Sequence, residues 1–294
     1  MKIFSILVLA VVLFSCSKEV ELDQPRYKSK VVVDGYIETG RSAHIHLTMS
    51  SPYLIHYDSV SILNTFLNHA KITLLSSKGE EEILTIYREN RFFPPFVYKS
   101  VQMKGEEGVK YDLIIEVDQQ VLTASTTIPS KPEILDTRFV PQTDSTGYPE
   151  YKIAPPQSGK LYLFPLVQST LSKESFHPTF LGVDVVSSDN QDSVWKRLLR
   201  VREMRNYASK PKTFYYHSFP KFQYDLRDTI WVAPGAVDSI SYRVLKSLFT
   251  DLSDNENPFA FNGNRIETNI QGGLGRWTGI GTAPLIKITS EDFN

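Results

Sequence analysis

The sequence predicts a mainly β fold, with an N-terminal immunoglobulin-like β-sandwich followed by a second β-rich domain that contains one helix. Short runs rich in Val, Ile, Thr, Tyr and Phe recur between turn residues, which is typical of antiparallel β structure. Several runs alternate apolar and polar residues, so their apolar side chains share one face of a strand. One segment instead carries apolar residues at helical spacing.

The N-terminal residues have the organisation of a bacterial secretory signal. A short positive start, Met1-Lys2, precedes the apolar stretch 3–14, which is too short to span a bilayer because a span needs about 20 residues. The stretch ends in Leu13-Phe14-Ser15-Cys16, which resembles a lipobox, the site where a cysteine receives diacylglycerol. We therefore expect residues 1–15 to be a signal peptide and Cys16 to be lipidated. The alternative is an ordinary signal peptide with a chance cysteine.

Lipidation at Cys16 has two consequences for the mature chain. Cys16 is the only cysteine, so no disulfide can form and stability must come from a packed core. The acyl chains anchor the protein stably, since each buried methylene contributes about 0.8 kcal/mol. We therefore expect no membrane-spanning segment, and we assign residues 16–29 to the lipidated cysteine and its tether.

Residues 30–129 are predicted to form the β-sandwich. Alternation is clearest at Tyr111, Leu113, Ile115 and Val117, which fall on one face of a strand. The strand count and spacing fit an immunoglobulin-like sandwich that lacks the cysteine pair of true immunoglobulin domains. The predicted strands are 30–37, 43–49, 70–75, 83–87, 111–117 and 121–128.

A domain boundary is predicted at residues 129–132. Pro129 and Pro132 lie too close together for a central strand, and a chain of 294 residues is long enough for two domains. The second domain, 133–294, is predicted to contain a helix at 239–252 with Asp238 as its N-cap. Its predicted strands are 161–167, 180–186, 198–204, 214–217, 222–226 and 285–289.

Charge and motifs exclude several classes of function. The net charge is −1 and there is no Lys/Arg block, which argues against a nucleic-acid partner. No His-Glu-x-x-His or Gly-x-Ser-x-Gly motif occurs, so we expect no enzyme activity and no cofactor. His44 and His46 would share a strand face and could supply two metal ligands, but a third ligand is not evident. We interpret them as solvent-facing and expect no metal site.

Two other polar or glycine-rich segments resemble ligand loops only in part. The oxygen-rich run 251–257 lacks the glycine and the terminal glutamate of a helix-loop-helix calcium site, so a helix end with a polar loop is the better interpretation. The run 273–279 misses the dinucleotide-binding spacing by one residue. Its glycines are expected to permit bulges or a close approach of two backbones.

Aromatic residues provide the candidate binding surface. Phe92, Phe93 and Phe96 flank two prolines, which disfavour a central strand, so their rings could lie on a loop and meet a sugar, peptide or protein. Trp277 is a fourth candidate for this surface. The alternative is that these rings fill the sandwich core or its ends.

The order of several short motifs resembles a known family. These motifs are Val31-Val32-Val33-Asp34-Gly35-Tyr36-Ile37, the Gly108 to Tyr111 turn, Ile128-Pro129, Asn257-Pro258-Phe259, and Ile270-Gln271-Gly272-Gly273-Leu274-Gly275 followed by Trp277. The chain is similar to Bacteroidota outer-membrane lipoproteins that carry the domain of unknown function 4249. The resemblance implies no catalytic residues, and it implies an accessory role beside a TonB-dependent receptor.

The resemblance and the N-terminal residues together predict a non-catalytic lipoprotein of the outer membrane. We expect it to act as an accessory or ligand-binding partner of a TonB-dependent β-barrel transporter, with a glycan or a peptide as ligand. The charged start at 17–21 resembles the export signal of surface-exposed lipoproteins, although a periplasm-facing tether is the alternative. A structural adhesin or fimbrial subunit is the competing function, and a cell-surface enzyme is a third.

Overall fold

A computed structural model describes residues 27–51, 58–90, 94–171, 177–178, 183–189, 192–198, 223–254 and 266–290. The prediction of a mainly β fold is confirmed for this part of the chain, which contains many strands and two helices. Contacts separate a small unit, residues 1–29 and 51–55, from the body that contains the rest. The described residues of the small unit, 27–29 and 51, have no regular secondary structure.

In its described residues, the N-terminal part of the body contains eight strands and a short helix. The helix α1, Ser59–Leu63, begins at a capping box in which Asp58 and Ser61 bond each other's backbone N–H groups. The strands are β1 Val31–Glu38, β2 Ser42–Met49, β3 Lys71–Ser76, β4 Glu81–Ile83, β5 Thr85–Arg88, β6 Phe96–Lys104, β7 Lys110–Val117 and β8 Gln120–Thr127.

The C-terminal part contains the remaining strands and the longer helix. Helix α2 is Ser239–Asp254, close to the predicted bounds. The strands are β9 Ile134–Pro141, β10 Thr146–Ile153, β11 Lys160–Leu163, β12 Leu166–Ser169, β13 His177–Pro178, β14 Asp184–Ser187, β15 Val194–Arg197, β16 Tyr224–Asp225, β17 Thr229–Ala233, β18 Gly235–Val237, β19 Ile270–Gln271, β20 Leu274–Thr282 and β21 Ile286–Thr289.

Two sheets enclose the larger core. One is eight-stranded, in the order β14-β11-β18-β20-β1-β2-β6-β5, and the other is five-stranded, in the order β19-β8-β7-β3-β4. The alternation predicted for β7 is confirmed, because Tyr111, Leu113, Ile115 and Val117 are all buried. They pack in one cluster with the inward residues of β1 and β2, as in a sandwich with two inner faces.

The C-terminal segment contributes to this sandwich. Strand β20 pairs in parallel with β1 and antiparallel with β18, while β19 pairs with β8. Ile270 and Trp277 are therefore part of the larger core. The sequence had placed both residues in the second domain. The stretch 128–133 contains no strand, as its prolines require, but the domain boundary there remains a prediction.

Two smaller sheets contain the remaining described strands. One contains β15-β10-β16 with β9 paired to β10, and the other has the order β13-β12-β17-β21. A second core cluster joins them through residues such as Tyr151, Ile230 and Ile288. Helix α2 packs Leu245 against Ile280 of β20. Within the described ranges, neither helix has the length and apolar character needed to cross a membrane.

Several predicted strands differ from the observed ones for local reasons. The run 83–87 is interrupted at Leu84, and the run 161–167 is interrupted at Phe164-Pro165, where proline lacks the N–H that a ladder needs. Among residues 223–226, the described part of the run 222–226, only β16 is a strand. The run 214–217 and residues 199–204 lie outside the described residues, as do 180–182 of the run that ends in β14.

Candidate functional site

Of the site residues predicted from the sequence, the structure describes Phe96 and Trp277, and it does not place these two on one surface. Cys16, Phe92 and Phe93 lie outside the described residues. Phe96 is the first residue of β6 and is half-buried, rather than lying on a loop. Trp277 is 0% exposed in β20. The prediction that Trp277 belongs to a binding surface is therefore wrong.

Trp277 fills the sandwich core for two physical reasons. Its indole N–H donates a hydrogen bond of 3.0 Å to the carbonyl oxygen of Tyr111, which satisfies the polar atom of a buried ring. Gly35 on the neighbouring strand leaves room for the ring, since a Cβ there would lie 2.9 Å from Trp277 Cε3. Burying so large a ring in the core contributes stability and leaves nothing of it for a ligand.

The glycines that follow Trp277 serve strand packing. The segment 274–282 is strand β20, and a side chain at Gly279 or Gly281 would meet the backbone of Thr127 or Pro129. The prediction of a close backbone approach is confirmed. Of the oxygen-rich run, residues 251–254 end helix α2 and residues 255–257 lie outside the described part of the chain.

His44 and His46 face away from the core of the sandwich but are half-buried. His44 stacks on Tyr36, with ring centroids 5.2 Å apart, and its Nδ1 lies 2.9 Å from the Ser42 carbonyl oxygen. His46 makes the equivalent contact of 2.8 Å with the Phe96 carbonyl oxygen. Burial lowers the pKa of His44, which favours a neutral ring. In the described ranges, no group of three acidic, His or Cys side chains is arranged to hold a metal ion.

A more distinctive polar surface lies on the small sheet of β9, β10 and β15. Phe139, Tyr151 and Ile153 face the second core, so the alternate residues of these strands face outward. We call the outward set the arginine–tryptophan face. It comprises Arg138, Tyr148, Glu150, Lys152, Trp195 and Arg197.

A buried carboxylate lies at the centre of the arginine–tryptophan face. Glu150 lies opposite Arg138 on one neighbouring strand and opposite Arg197 on the other. Arg138 Nε donates a hydrogen bond of 2.8 Å to Glu150 Oε2, and Arg197 Nε lies 3.6 Å from Oε1. The Glu150 side chain is only 9% exposed, whereas the two arginines are 46% and 49% exposed. A buried carboxylate requires such partners.

Aromatic rings hold both guanidinium groups. The Arg138 guanidinium carbon lies 4.0 Å from the ring centroid of Trp195, and that of Arg197 lies 3.6 Å from the ring of Tyr148. Arg197 also donates a hydrogen bond of 2.6 Å to the Tyr148 hydroxyl. The Lys152 ammonium lies 5.9 Å from the Trp195 ring. Stacking of this kind restricts the rotamers of the two arginine side chains before a partner binds.

Sequence reasoning missed this face because it missed the strands that build it. Pro149 within 146–153 disfavoured a strand there, and the mixed pattern of 134–141 ends in Pro141. A weak signal was present, since Glu150 and Lys152 alternate with Tyr151 and Ile153. The partners on β9 and β15 are far apart in sequence, so only the observed pairing brings them together.

Comparison with family models gives a match to the domain of unknown function (DUF4249) over residues 17–283. The chain belongs to this family. Solved structures similar to this DUF4249 chain share little sequence with it. A two-domain fibronectin type III segment of chicken tenascin is 12% identical, with 71% of this chain and 91% of that chain covered and a TM-score of 0.20.

A second solved structure and the curated proteins complete the comparison. A DUF4785 family protein from Legionella pneumophila is 9% identical to this DUF4249 chain, with coverage of 70% of this chain and 52% of that chain and a TM-score of 0.22. No curated protein matches the sequence. The domain of unknown function expected from the sequence motifs is thus confirmed.

Proposed function

We propose that this protein is a non-catalytic lipoprotein of the outer membrane that acts as an accessory partner of a TonB-dependent transporter. The observation that carries the proposal is the N-terminal sequence, in which a short apolar stretch leads to Leu13-Phe14-Ser15-Cys16 and Cys16 is the only cysteine. A lipobox cysteine is the acceptor of the acyl chains that anchor a protein without a membrane-spanning segment.

The composition of the arginine–tryptophan face supports a role in binding another protein. Arg, Trp and Tyr are the residues most enriched at the energetic centres of protein interfaces. Here Arg138 and Arg197 are each stacked on a ring and half-exposed. The family resemblance supports a β-barrel receptor of the outer membrane as that protein. A Bacteroidota source and exposure at the cell surface belong to the same proposal.

The experiment is an affinity purification of the tagged full-length protein from its native outer membrane in mild detergent. Copurifying proteins are identified by mass spectrometry, and Cys16→Ala is the control. We expect a β-barrel transporter in stoichiometric amounts with the wild type and its loss with Cys16→Ala. Recovery of the wild-type protein without any barrel would refute the accessory role. Protease treatment of intact cells, which degrades only surface-exposed protein, checks the orientation.

A structural adhesin or fimbrial subunit is a second candidate because of one exposed sheet edge. Strand β5 ends the eight-stranded sheet, and its Ile86 and Tyr87 are exposed. An edge strand with no second partner among the described strands can add a strand from another copy. This function predicts assemblies that grow with protein concentration, measured by light scattering. A monomer over the whole concentration range would exclude it.

A further inference from the structure

The nitrogen atoms of the arginine–tryptophan face that have no hydrogen-bond partner among the described residues are donors. Arg138 directs Nε and one terminal nitrogen to Glu150, and Arg197 directs one terminal nitrogen to Tyr148. The second terminal nitrogen of each guanidinium has no partner among the described residues. The Lys152 ammonium likewise makes no ion pair within the described ranges, and it lies 5.9 Å from the centre of the Trp195 ring. A partner that offers acceptors would therefore complete this face.

The charges of the face also favour an anionic partner. Its cations are Arg138, Lys152 and Arg197, and its central carboxylate is Glu150. The nearest additional acid by register is Asp136, which lies opposite Lys152 and accepts a hydrogen bond from the Thr137 backbone N–H. Among the described residues of this face, and counting Asp136, the cations still exceed the acids by one. A surface with an excess of positive charge and with side chains already held in place favours acidic partners.

The arrangement of the cations favours an extended acidic chain over a small anion as the ligand of this face. The two arginines already converge on Glu150, which occupies the point where a phosphate or sulfate would need to sit. The cations lie on three neighbouring strands, which are spaced about 4.8 Å apart in a sheet. An extended peptide places alternate side chains about 6.6 Å apart, so its carboxylates can meet several cations in turn.

We propose that the arginine–tryptophan face is the docking surface for an acidic peptide segment of a protein partner. The inference rests on the proposed function, because the transporter supplies that segment, for example as a loop rich in Asp and Glu. The stacked guanidiniums bind its carboxylates through their remaining N–H donors, and Lys152 adds a third cation. Because the rings hold the arginines in place, less side-chain entropy is lost on binding.

The first test measures binding of poly-L-glutamate to the detergent-solubilised full-length protein, with poly-L-glutamine as the neutral control. Lys152→Glu inverts one charge and leaves the Glu150 ion pairs intact. Lys160→Glu is the matched control, because Lys160 is an exposed strand lysine with no ion pair in the described residues. We expect Lys152→Glu to weaken poly-L-glutamate binding about tenfold, as a loss of about 1.4 kcal/mol gives, while Lys160→Glu has little effect.

Two further readouts keep the test decisive. Thermal unfolding checks that each variant is folded, and Lys152→Gln, which removes the charge without adding one, replaces Lys152→Glu if that variant does not fold. Binding should also weaken with added salt, since surface charges are screened. Equal binding by wild type and Lys152 variants, or preferential binding of a polyuronate over poly-L-glutamate, would overturn the acidic-peptide assignment.

Copurification from the native membrane separates this inference from the function on which it rests. A barrel that copurifies with the wild type but not with Lys152→Glu supports both. A barrel that copurifies equally with both proteins refutes the docking surface and leaves the accessory role intact. Absence of any barrel from the wild-type preparation refutes the accessory role, and the poly-L-glutamate measurement then decides the chemistry of the face alone.

Discussion

At the scale of single residues, Gly275 shows how tightly two distant strands approach. It lies in β20 beside Val33 of β1 and has a φ of +103°. Glycine adopts this backbone conformation readily, whereas residues with a Cβ rarely do. A Cβ at this position would also overlap the carbonyl group of Val33. Both backbone conformation and available space therefore require glycine.

Replacement of Gly275 by alanine should destabilise the fold strongly. We expect Gly275→Ala to lower the free energy of unfolding by about 3 kcal/mol or more, because backbone strain adds to steric overlap. Gly79→Ala is the control, since Gly79 also has a positive φ of +88 but has nothing within 4 Å of a new Cβ. That variant should lose only about 1 kcal/mol. Equal losses in urea denaturation would contradict the close approach.

Glu38 is a buried acid whose ionisation opposes folding. It is 6% exposed at the end of β1, and burial raises its pKa although Arg41 lies 3.2 Å away. An acid with a raised pKa in the folded state contributes its full stability at low pH and loses it as the pH rises through that pKa. Arg41 is mostly exposed, so solvent screens its compensation.

Glu38→Gln should therefore stabilise the protein in a pH-dependent manner. We expect the melting temperature of this variant to exceed that of the wild type at about pH 8. The difference should be smaller at about pH 4, where protonation makes the wild-type glutamic acid as neutral as the glutamine of the variant. Glu81→Gln, at an exposed position of β4, serves as the control and should show no such trend. A difference that is independent of pH would contradict the burial argument.

At the scale of elements, Asp238 joins helix α2 to the sandwich. Its Oδ1 accepts a hydrogen bond of 2.7 Å from the Ser241 backbone N–H, which confirms the predicted N-cap. Its Oδ2 accepts bonds from the Thr126 hydroxyl and the Thr127 backbone N–H of β8, at 2.7 and 3.3 Å. One carboxylate thus fixes both the start of the helix and its position on the sheet.

Asp238→Ala should cost more than the loss of an ordinary helix cap. We expect a decrease of about 2 kcal/mol or more in the free energy of unfolding, since the cap and two further hydrogen bonds are lost together. Asp58→Ala removes the cap of the exposed five-residue helix α1 and should have little effect. Chemical denaturation monitored by circular dichroism compares the two variants. Similar losses would show that Asp238 acts only on the helix.

Sequence analysis predicted the elements whose own residues show a clear strand or helix pattern. Strands β1, β2, β3, β7 and β8 are runs of β-forming residues, β2 and β7 also alternate, and helix α2 has both its apolar spacing and its cap. Strand β20 was missed because its glycines resemble a loop, and β10 was missed because a proline within a run disfavours a central strand, although β10 continues through Pro149. The arginine–tryptophan face was unpredictable for a further reason. It depends on which strands pair, and pairing is decided by packing across the molecule.

At the scale of the whole molecule, the N-terminal sandwich depends on residues near the C-terminus. Trp277 is 0% exposed in the core, and β20 covers the edge of β1. Truncating a buried Trp typically costs about 3–5 kcal/mol, against a total stability of about 5–15 kcal/mol for a protein. Removing the whole strand would therefore consume most of the stability of the sandwich.

A fragment of residues 1–132 should not fold on its own. We expect no cooperative thermal transition by circular dichroism and rapid proteolysis, because β19, β20 and Trp277 are absent. Co-expression with residues 133–294 should restore protease resistance by complementation. If the isolated fragment instead unfolds cooperatively, the boundary predicted at 129–132 would mark an independent domain.

The parallel pairing of β1 with β20 also governs when the protein can fold. The ion pair between Asp34 and Arg276 bridges a sequence separation of 242 residues. Contacts of such long range slow folding, because the chain loses its loop-closure entropy before the contacts form. The eight-stranded sheet can be completed only after almost the whole chain has left the ribosome. A nascent chain that must be threaded through an export channel would stay unfolded for that time, with its first strand the last to be completed.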